Sequence, residues 1–445
     1  MHPLQSAAAD SLHGTVSVPG DKSLSHRALL LGAMAVGETA IEGLLEGGDV
    51  LHTLAVLRAL GVEITEPAAG KCRLYGVGAG GLAAPADVLD FGNSGTGVRL
   101  AAGLLATHPF TCVLTGDASL RRRPMGRVMA PLEQMGAKFT ARDGGHLPIT
   151  LTGAAEPIPI VYEVPVPSAQ VKSAILLAGL NTPGLTTIVE PVATRDHTER
   201  LLTYFGARVE TTDDPKGGRK ITLVGQPELS GKRLSIPADP SSAAFLTVAA
   251  LLVPGSDITL TKIGTNPLRT GFYATLAKMG AALHWRNEDE MCGEPVADLN
   301  VKASSLSAIE VPAALAPSMI DEYPVLAVAA AAAEGTTVLN GLAELRVKES
   351  DRLAAIAEGL RASGVAVEEG EDRLAIEGCG GRLPGGGFVQ SRLDHRIAMA
   401  FLVLGMAAEQ PVRVDDGSMI ETSFPGFVDL MNGIGGRITE GDKDG

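Results

Sequence analysis

Several short stretches of this chain carry polar and charged residues in spacings that suit anion chemistry. In GDKSLSHR, Lys22 and Arg27 lie among Asp21, Ser23 and Ser25, just ahead of the apolar run 28–35. That order reads as a helix start, where four backbone N–H groups lack partners and the dipole favours negative charge. Ser23 and Arg27 suit one phosphate there, and Lys22 points a charge at another anion. His26 reads as a structural residue. In FGNSGTGVRL, glycines 92, 95 and 97 around Asn93 and Thr96 allow a backbone to approach a ligand closely. Arg123 in RRRPMGR precedes Pro124, and its planar fork matches a carboxylate or phosphate bidentately. Arg121 and Arg122 read as a solvated charge run. SAQ places Ser168 and Gln170 at a further helix start, with Thr194 and Arg195 one strand later.

Acid–base work needs carboxylates near cations. Asp321 is followed by Glu322, and RVKESDR brings Lys348, Glu349 and Arg352 together. If that stretch is helical, Lys348 and Arg352 share a face, with Glu349 three residues from Arg352. DHR adds His395 and Arg396. Read alone, each has a plainer meaning: Asp321 as a helix cap, RVKESDR as a surface salt-bridge ladder, His395 as a capped structural histidine.

The elements that must position these residues repeat. Candidate helix-start tips fall at Asp21, Asn93, Ser168, Asp239, Asp321 and Asp394, every 71 to 82 residues. Each precedes a small-residue apolar run, a turn and a strand-like stretch. A second mark keeps the same period: Gly61, Gly136, Gly206, Gly280, Gly364 and Gly435 lie 38 to 43 residues past their tips. Glycine just beyond a helix accepts the left-handed conformation at little cost, and a strand then begins. Each unit is therefore a strand–helix–strand–helix–strand module. The first helix of each is apolar nearly all round, which fits a helix hidden in a core.

Val18-Pro19-Gly20 and Ile236-Pro237-Ala238 are extended, proline-marked boundaries. They give one continuous domain over 21–239 and a discontinuous one from 1–20 and 240–445, three repeats each. Two chain crossings imply a hinge and a cleft. If the buried helices run parallel within a domain, their starts converge on one face. Asp239 reads simply as a cap. Cations crowd the other tips, where capping alone favours carboxylates: Lys22, Arg27, Arg99, Arg195 and Arg396. The ligand should carry several negative charges.

Composition narrows the field. A chain of 445 residues exceeds one ordinary core, and 45% hydrophobic content marks a folded protein. With only 4% aromatics, Ala, Leu, Val and Gly must do most of the packing. A net charge of -14 argues against a nucleic-acid binder, although a local basic site remains compatible with it. Cysteines 72, 112, 292 and 379 show no zinc or disulfide spacing, so free thiols are expected. MHPLQSAAADSL lacks the pattern of a secretory signal, and run 325–333 is shorter than the ~20 residues a membrane span takes. A cytoplasmic protein without membrane association is the expectation.

GDKSLSHR, FGNSGTGVRL, RRRPMGRV, SAQVKSAILLAGL, TRDHTE, IDEYPVLAVAA, LRVKESDRL and LDHRIAM together resemble the enolpyruvyl transferase family, over essentially the whole chain. The closer likeness is to the branch acting on shikimate 3-phosphate. The resemblance implies an α/β fold, a two-domain inverse α/β barrel of six βαβαβ-type repeats with helices buried and sheets outside. It also implies transfer of the enolpyruvyl group of phosphoenolpyruvate to the 5-hydroxyl of shikimate 3-phosphate, in the shikimate pathway, with no metal and no cofactor. By that likeness Lys22 touches both substrates. Ser23, Arg27, Ser168, Ala169 (through its backbone), Gln170, Arg195, Asp321 and Lys348 hold shikimate 3-phosphate. Asn93, Gly95, Thr96, Arg123, Gln170, Arg352 and Arg396 hold phosphoenolpyruvate. Lys22, Asp321, Glu349 and His395 form the catalytic set, with Asp321 as base and Glu349 moving a proton at the substrate methylene. Glyphosate is the inhibitor expected, and a monomer the expected state.

Two departures from the family pattern stand out. Many members have tyrosine around Arg195, and several have lysine where Thr422 stands. The branch acting on UDP-N-acetylglucosamine is disfavoured, because its mobile-loop cysteine would align near Ala118 and its asparagine near Ser23. A non-catalytic repeat scaffold would explain the period but not Lys22, Arg123, Glu349 and Arg396 recurring at the helix starts.

Overall fold

The computed structural model describes residues 2–215 and 217–441; the outermost ends of the expected discontinuous domain, residues 1 and 442–445, lie outside them. The chain forms two compact units. A central unit comprises Gly20–Ile236 with Glu290–Glu294, and a terminal unit comprises Met1–Pro19, Pro237–Asp289 and Pro295–Gly445.

Each unit holds three core helices. In the central unit they are Lys22–Met34, Gly95–Leu105 and Ala169–Gly179. In the terminal unit they are Pro240–Leu252, Tyr323–Ala332 and His395–Met406. They are numbered first to sixth here. Small residues let them pack closely: a methyl on Gly103 of the second helix would fall 2.3 Å from the carbonyl oxygen of Ala174 on the third. Nearly every residue of the fourth, fifth and sixth helices is buried. Such helices owe their stability to packing rather than to an amphipathic stripe.

Four tips cap as the sequence indicates. Asp21, Ser168, Asp239 and Asp394 accept hydrogen bonds from the first-turn N–H groups of Leu24, Val171, Ser241 and Arg396. Two tips are displaced by one residue. Ser94, not Asn93, caps the second helix by accepting from Gly97 N, and Glu322, not Asp321, occupies the N-cap position of the fifth. In both cases the expected residue is engaged elsewhere, as described below.

The second mark holds throughout. Gly61, Gly136, Gly206, Gly280, Gly364 and Gly435 all have positive φ, between 78° and 113°. Each follows a helix and leads into a strand, the conformation for which a side chain would be strained.

Among the described residues, six four-stranded sheets cover the helices of the two units. In the first, Arg233–Ser235 runs parallel to Val36–Glu42, which is antiparallel to Cys72–Val77, itself antiparallel to Glu63–Ile64. The same parity recurs in the sheets built on Thr111–Thr115 and Leu185–Glu190. It recurs again in those built on Thr336–Asn340 and Val412–Val414. Each repeat thus extends the βαβαβ pattern by one hairpin strand. Within each unit the helices lie inside and the half-exposed sheets outside. No helix among the described residues is long and apolar enough to cross a membrane.

Candidate functional site

The site residues of the central unit gather at the starts of its three core helices. Lys22 Nζ lies 2.9 Å from Asp49 Oδ2. Five residues on, Arg27 is buried and uses its whole fork: Nε donates to Thr198 Oγ1 at 2.8 Å, Nη2 to Ser173 Oγ at 2.7 Å and Nη1 to the Ser23 carbonyl at 2.9 Å. Burial draws its pKa down to about 10; Glu199 and Asp21 oppose that, and Arg195 adds to it. Arg195 therefore stands near enough to Arg27 for their charges to repel, which suits a multiply charged anion. It lies half-buried in the loop between the strand Leu185–Glu190 and the helix His197–Phe205.

Asn93 fails to cap the second helix because its side chain holds Arg123. Arg123 Nη2 donates to Asn93 Oδ1 at 2.6 Å and to Ser119 Oγ at 3.1 Å, while Nη1 donates to the Asn93 carbonyl at 3.2 Å. Asn93 Nδ2 in turn donates to Asp117 Oδ2 at 2.7 Å. Gly95 opens the helix beneath this fork. Thr96 Oγ1 accepts from Gln170 Nε2 at 3.1 Å, which joins the second and third helix starts. Ala169, first residue of the third helix, presents one of the N–H groups that have no intrahelical acceptor. His26 is wholly buried between Thr53 Oγ1 and Ser94 Oγ, and burial with Lys22 and Arg27 nearby lowers its pKa to about 3.

The terminal unit gathers a second set around Arg352, which is 1% exposed. Arg352 Nε and Nη2 donate to the two oxygens of Asp394 at 2.8 and 3.2 Å. Nη2 lies 2.6 Å from Glu349 Oε2, and Nη1 lies 3.5 Å from Asp321 Oδ1. Burial opposes the charge, but Asp394, Glu349 and Asp321 outweigh it and raise the pKa. Lys348 Nζ is 3.9 Å from Asp321 Oδ1, and Arg396 Nη1 donates to the Asp321 carbonyl at 3.0 Å. Asp321 thus lies between three cations instead of capping the fifth helix. His395 opens the sixth helix and is 3% exposed. Thr422 Oγ1 donates to the Met419 carbonyl within its own short turn.

One geometric expectation is corrected. Lys348 and Arg352 do not share a helix face, because the helix begins only at Arg352, with Asp351 as its cap. Lys348 follows the 3-10 turn Ala343–Val347 in non-helical backbone. They meet through Asp321.

Sequence reasoning missed two buried ion clusters. Lys172 lies between Glu190 and Glu199 at 2.9 and 2.7 Å. Arg269 lies between Asp239 and Glu322 at 3.1 and 3.3 Å, which engages the Glu322 side chain at the fifth helix start. A lysine inside the apolar run VKSAILLAGL was the one visible signal for the first cluster; nothing marked Arg269. Among the described residues no group of three or more His, Cys, Asp or Glu could hold a metal ion.

A family model described as EPSP synthase (3-phosphoshikimate 1-carboxyvinyltransferase) matches residues 7–431. A 3-phosphoshikimate 1-carboxyvinyltransferase of Paramagnetospirillum magneticum is 62% identical over 438 residues, 98% of this chain and 98% of that protein. One from Parvibaculum lavamentivorans is 60% identical, covering 97% and 96%. Among solved structures, an EPSP synthase from Acinetobacter baumannii superimposes with a TM-score of 0.88 at 44% identity, covering 99% of this chain and 100% of that one. The enolpyruvyl transferase NikO from Streptomyces tendae shares the fold, with a TM-score of 0.77 at 18% identity and 99% coverage of each chain.

Proposed function

The chain belongs to the EPSP synthase (3-phosphoshikimate 1-carboxyvinyltransferase) family, and from that premise we propose how its residues divide the work. The reaction moves the enolpyruvyl group of phosphoenolpyruvate to the 5-hydroxyl of shikimate 3-phosphate and releases phosphate. C3 of phosphoenolpyruvate takes a proton, C2 gains cationic character, and the hydroxyl oxygen bonds to C2 as its own proton leaves. The tetrahedral adduct then loses a proton from C3 while the bond from C2 to the phosphate oxygen breaks. Neither step requires a metal or cofactor, since side-chain cations can meet the developing charge.

In this reading Ser23, Arg27, Ser168, Ala169, Gln170, Arg195 and Lys348 hold shikimate 3-phosphate, and Asn93, Gly95, Thr96, Gln170, Arg123, Arg352 and Arg396 hold phosphoenolpyruvate. Lys22 serves both substrates and stabilises the departing phosphate. With Thr422 where several relatives have lysine, more of that stabilisation falls to Lys22. Asp321 takes the hydroxyl proton and Glu349 serves the methylene. The observation that carries the assignment is that Asp321 and Glu349 flank the same guanidinium, at 3.5 and 2.6 Å. Both carboxylates therefore stand beside one cation that can meet charge developing on the substrate. His395, at the sixth helix start, belongs to the catalytic set in this reading. The two units act as the two three-repeat domains, in a cytoplasmic monomer.

Phosphate release from phosphoenolpyruvate with shikimate 3-phosphate tests the reading. Glu349→Gln and Lys22→Ala should each lower kcat by about a hundredfold or more, the usual weight of a positioned proton donor or charge. A folded wild-type chain that releases no phosphate would refute it.

A further inference from the structure

We propose that Lys172 is a positioning residue for shikimate 3-phosphate: from inside the central unit it fixes the segment that carries Arg195 and orients Arg27. The inference rests on the functional reading above. Lys172 lies on the third core helix between Gln170 and Ser173 and is 1% exposed. An ammonium has three donors, and all three are engaged. They reach Glu190 Oε2 at 2.9 Å, Glu199 Oε1 at 2.7 Å and the Thr194 carbonyl at 3.2 Å. Thr194 also donates its hydroxyl to Glu190 Oε1. The residue just before Arg195 is therefore tied down through both its carbonyl and its side chain.

The far end of the same segment is tied as well. Thr198, next to Glu199, accepts from Arg27 Nε at 2.8 Å and shares a hydrogen bond with Ser173 Oγ at 2.7 Å. Lys172 and Ser173, adjacent on one helix, thus hold residues 194–199 at both ends. That helix is the one whose start presents Ser168, Ala169 and Gln170. Glu199 answers two cations: Lys172 directly, and Arg27 by offsetting the effect of burial on its charge. An apolar side chain at 172 would fill the space but leave Glu190 and Glu199 buried without their cation. A buried ion pair is poor value as a stabiliser; here it fixes where two phosphate-facing guanidinium groups stand.

The test compares Lys172→Met and Lys172→Arg with the wild type. KM and kcat are measured for each substrate, and calorimetry gives Kd for shikimate 3-phosphate and for unphosphorylated shikimate. Lys172→Met should raise KM and Kd for shikimate 3-phosphate at least about tenfold, the worth of a charge-assisted contact. KM for phosphoenolpyruvate and Kd for shikimate should move by less than about threefold, and Lys172→Arg should recover most of the loss. If Lys172→Met does not fold, Thr194→Val and Glu190→Gln replace it, with a smaller rise confined to shikimate 3-phosphate. Folded variants with wild-type affinity overturn the inference. So do equal losses for all three ligands, which mark a general structural role. A folded wild type that releases no phosphate overturns the functional reading itself, and that control separates the two failures.

Discussion

Arg123 reaches its place through Asn93 and Ser119, and the surface beneath its fork is Gly95. A methyl group at position 95 would lie 2.9 Å from Nη1 of Arg123 and 2.9 Å from Nη1 of Arg99. Both are ends of flexible side chains, so the cost falls on where the guanidinium groups sit rather than on the fold. By family likeness, some glyphosate-tolerant relatives carry alanine here. The wild-type enzyme should therefore be inhibited by glyphosate. Gly95→Ala should weaken that inhibition by roughly ten- to two-hundredfold, the usual weight of one extra carbon in a tight pocket. A smaller rise in KM for phosphoenolpyruvate should accompany it. Inhibition constants for the two proteins decide the matter, and equal values would refute the prediction. Lys22, Arg27 and Arg396 were legible in the sequence because cations at helix starts run against capping preference, and Arg123 because its fork directly precedes Pro124 in RRRPMGR. Lys172 and Arg269 were not, because buried ion pairs follow no spacing rule: Lys172 meets partners 18 and 27 residues away, and Arg269 meets one 53 residues away.

Elements were legible where backbone geometry demands a particular residue, as at the six left-handed glycines, and less so where side chains compete for roles. Asn93 and Asp321 read as caps until the structure shows each occupied by cations or their holders, leaving Ser94 and Glu322 at the cap positions. The Arg352 helix starts later than RVKESDR suggests because Asp351 caps it by accepting from Ala354 N. One buried residue ties several helices of the central unit together. His26, on the first core helix, meets Thr53 of the helix Gly48–Ala59 at 2.9 Å and Ser94 at the second core helix start at 3.4 Å. Burial, then Lys22 and Arg27, lowers its pKa from 6.5 to about 3, with Asp21 opposing. The unfolded chain therefore binds a proton that the folded chain does not, between pH 6.5 and about 3. Stability is full above pH 6.5 and falls as the solution is acidified, by about 1.4 kcal/mol per pH unit once well below it. Denaturant midpoints at pH 7 and pH 5 should differ accordingly, with His26→Gln flattening the dependence. An identical slope in the variant would assign the acid sensitivity to other groups.

At the scale of the whole molecule, a chain with a net charge of -14 sets Lys22, Arg27 and Arg396 at the starts of buried helices. The terminal unit adds a topological condition, because its sheets draw on both chain ends. Leu4–Ser6 is an interior strand, antiparallel to Val412–Val414 on one side and to Ile438–Glu440 on the other. Leu4 and Ser6 are buried, so this strand is part of the core and not a trailing end. Deleting residues 2–6 leaves two neighbouring strands without their shared partner and exposes the apolar surface that Leu4 covers. The lost ladder and burial together are worth on the order of 5 kcal/mol. At roughly 2–4 °C per kcal/mol for a unit of this size, the melting temperature should fall by about 10–20 °C. Activity should be lost at temperatures where the terminal unit, which carries Asp321, Glu349 and Arg352, has melted. Calorimetry should show the shift in the terminal unit's transition, read through its sole tryptophan, Trp285, by fluorescence. An unchanged melting curve would mean that the other strands close the sheet without this one.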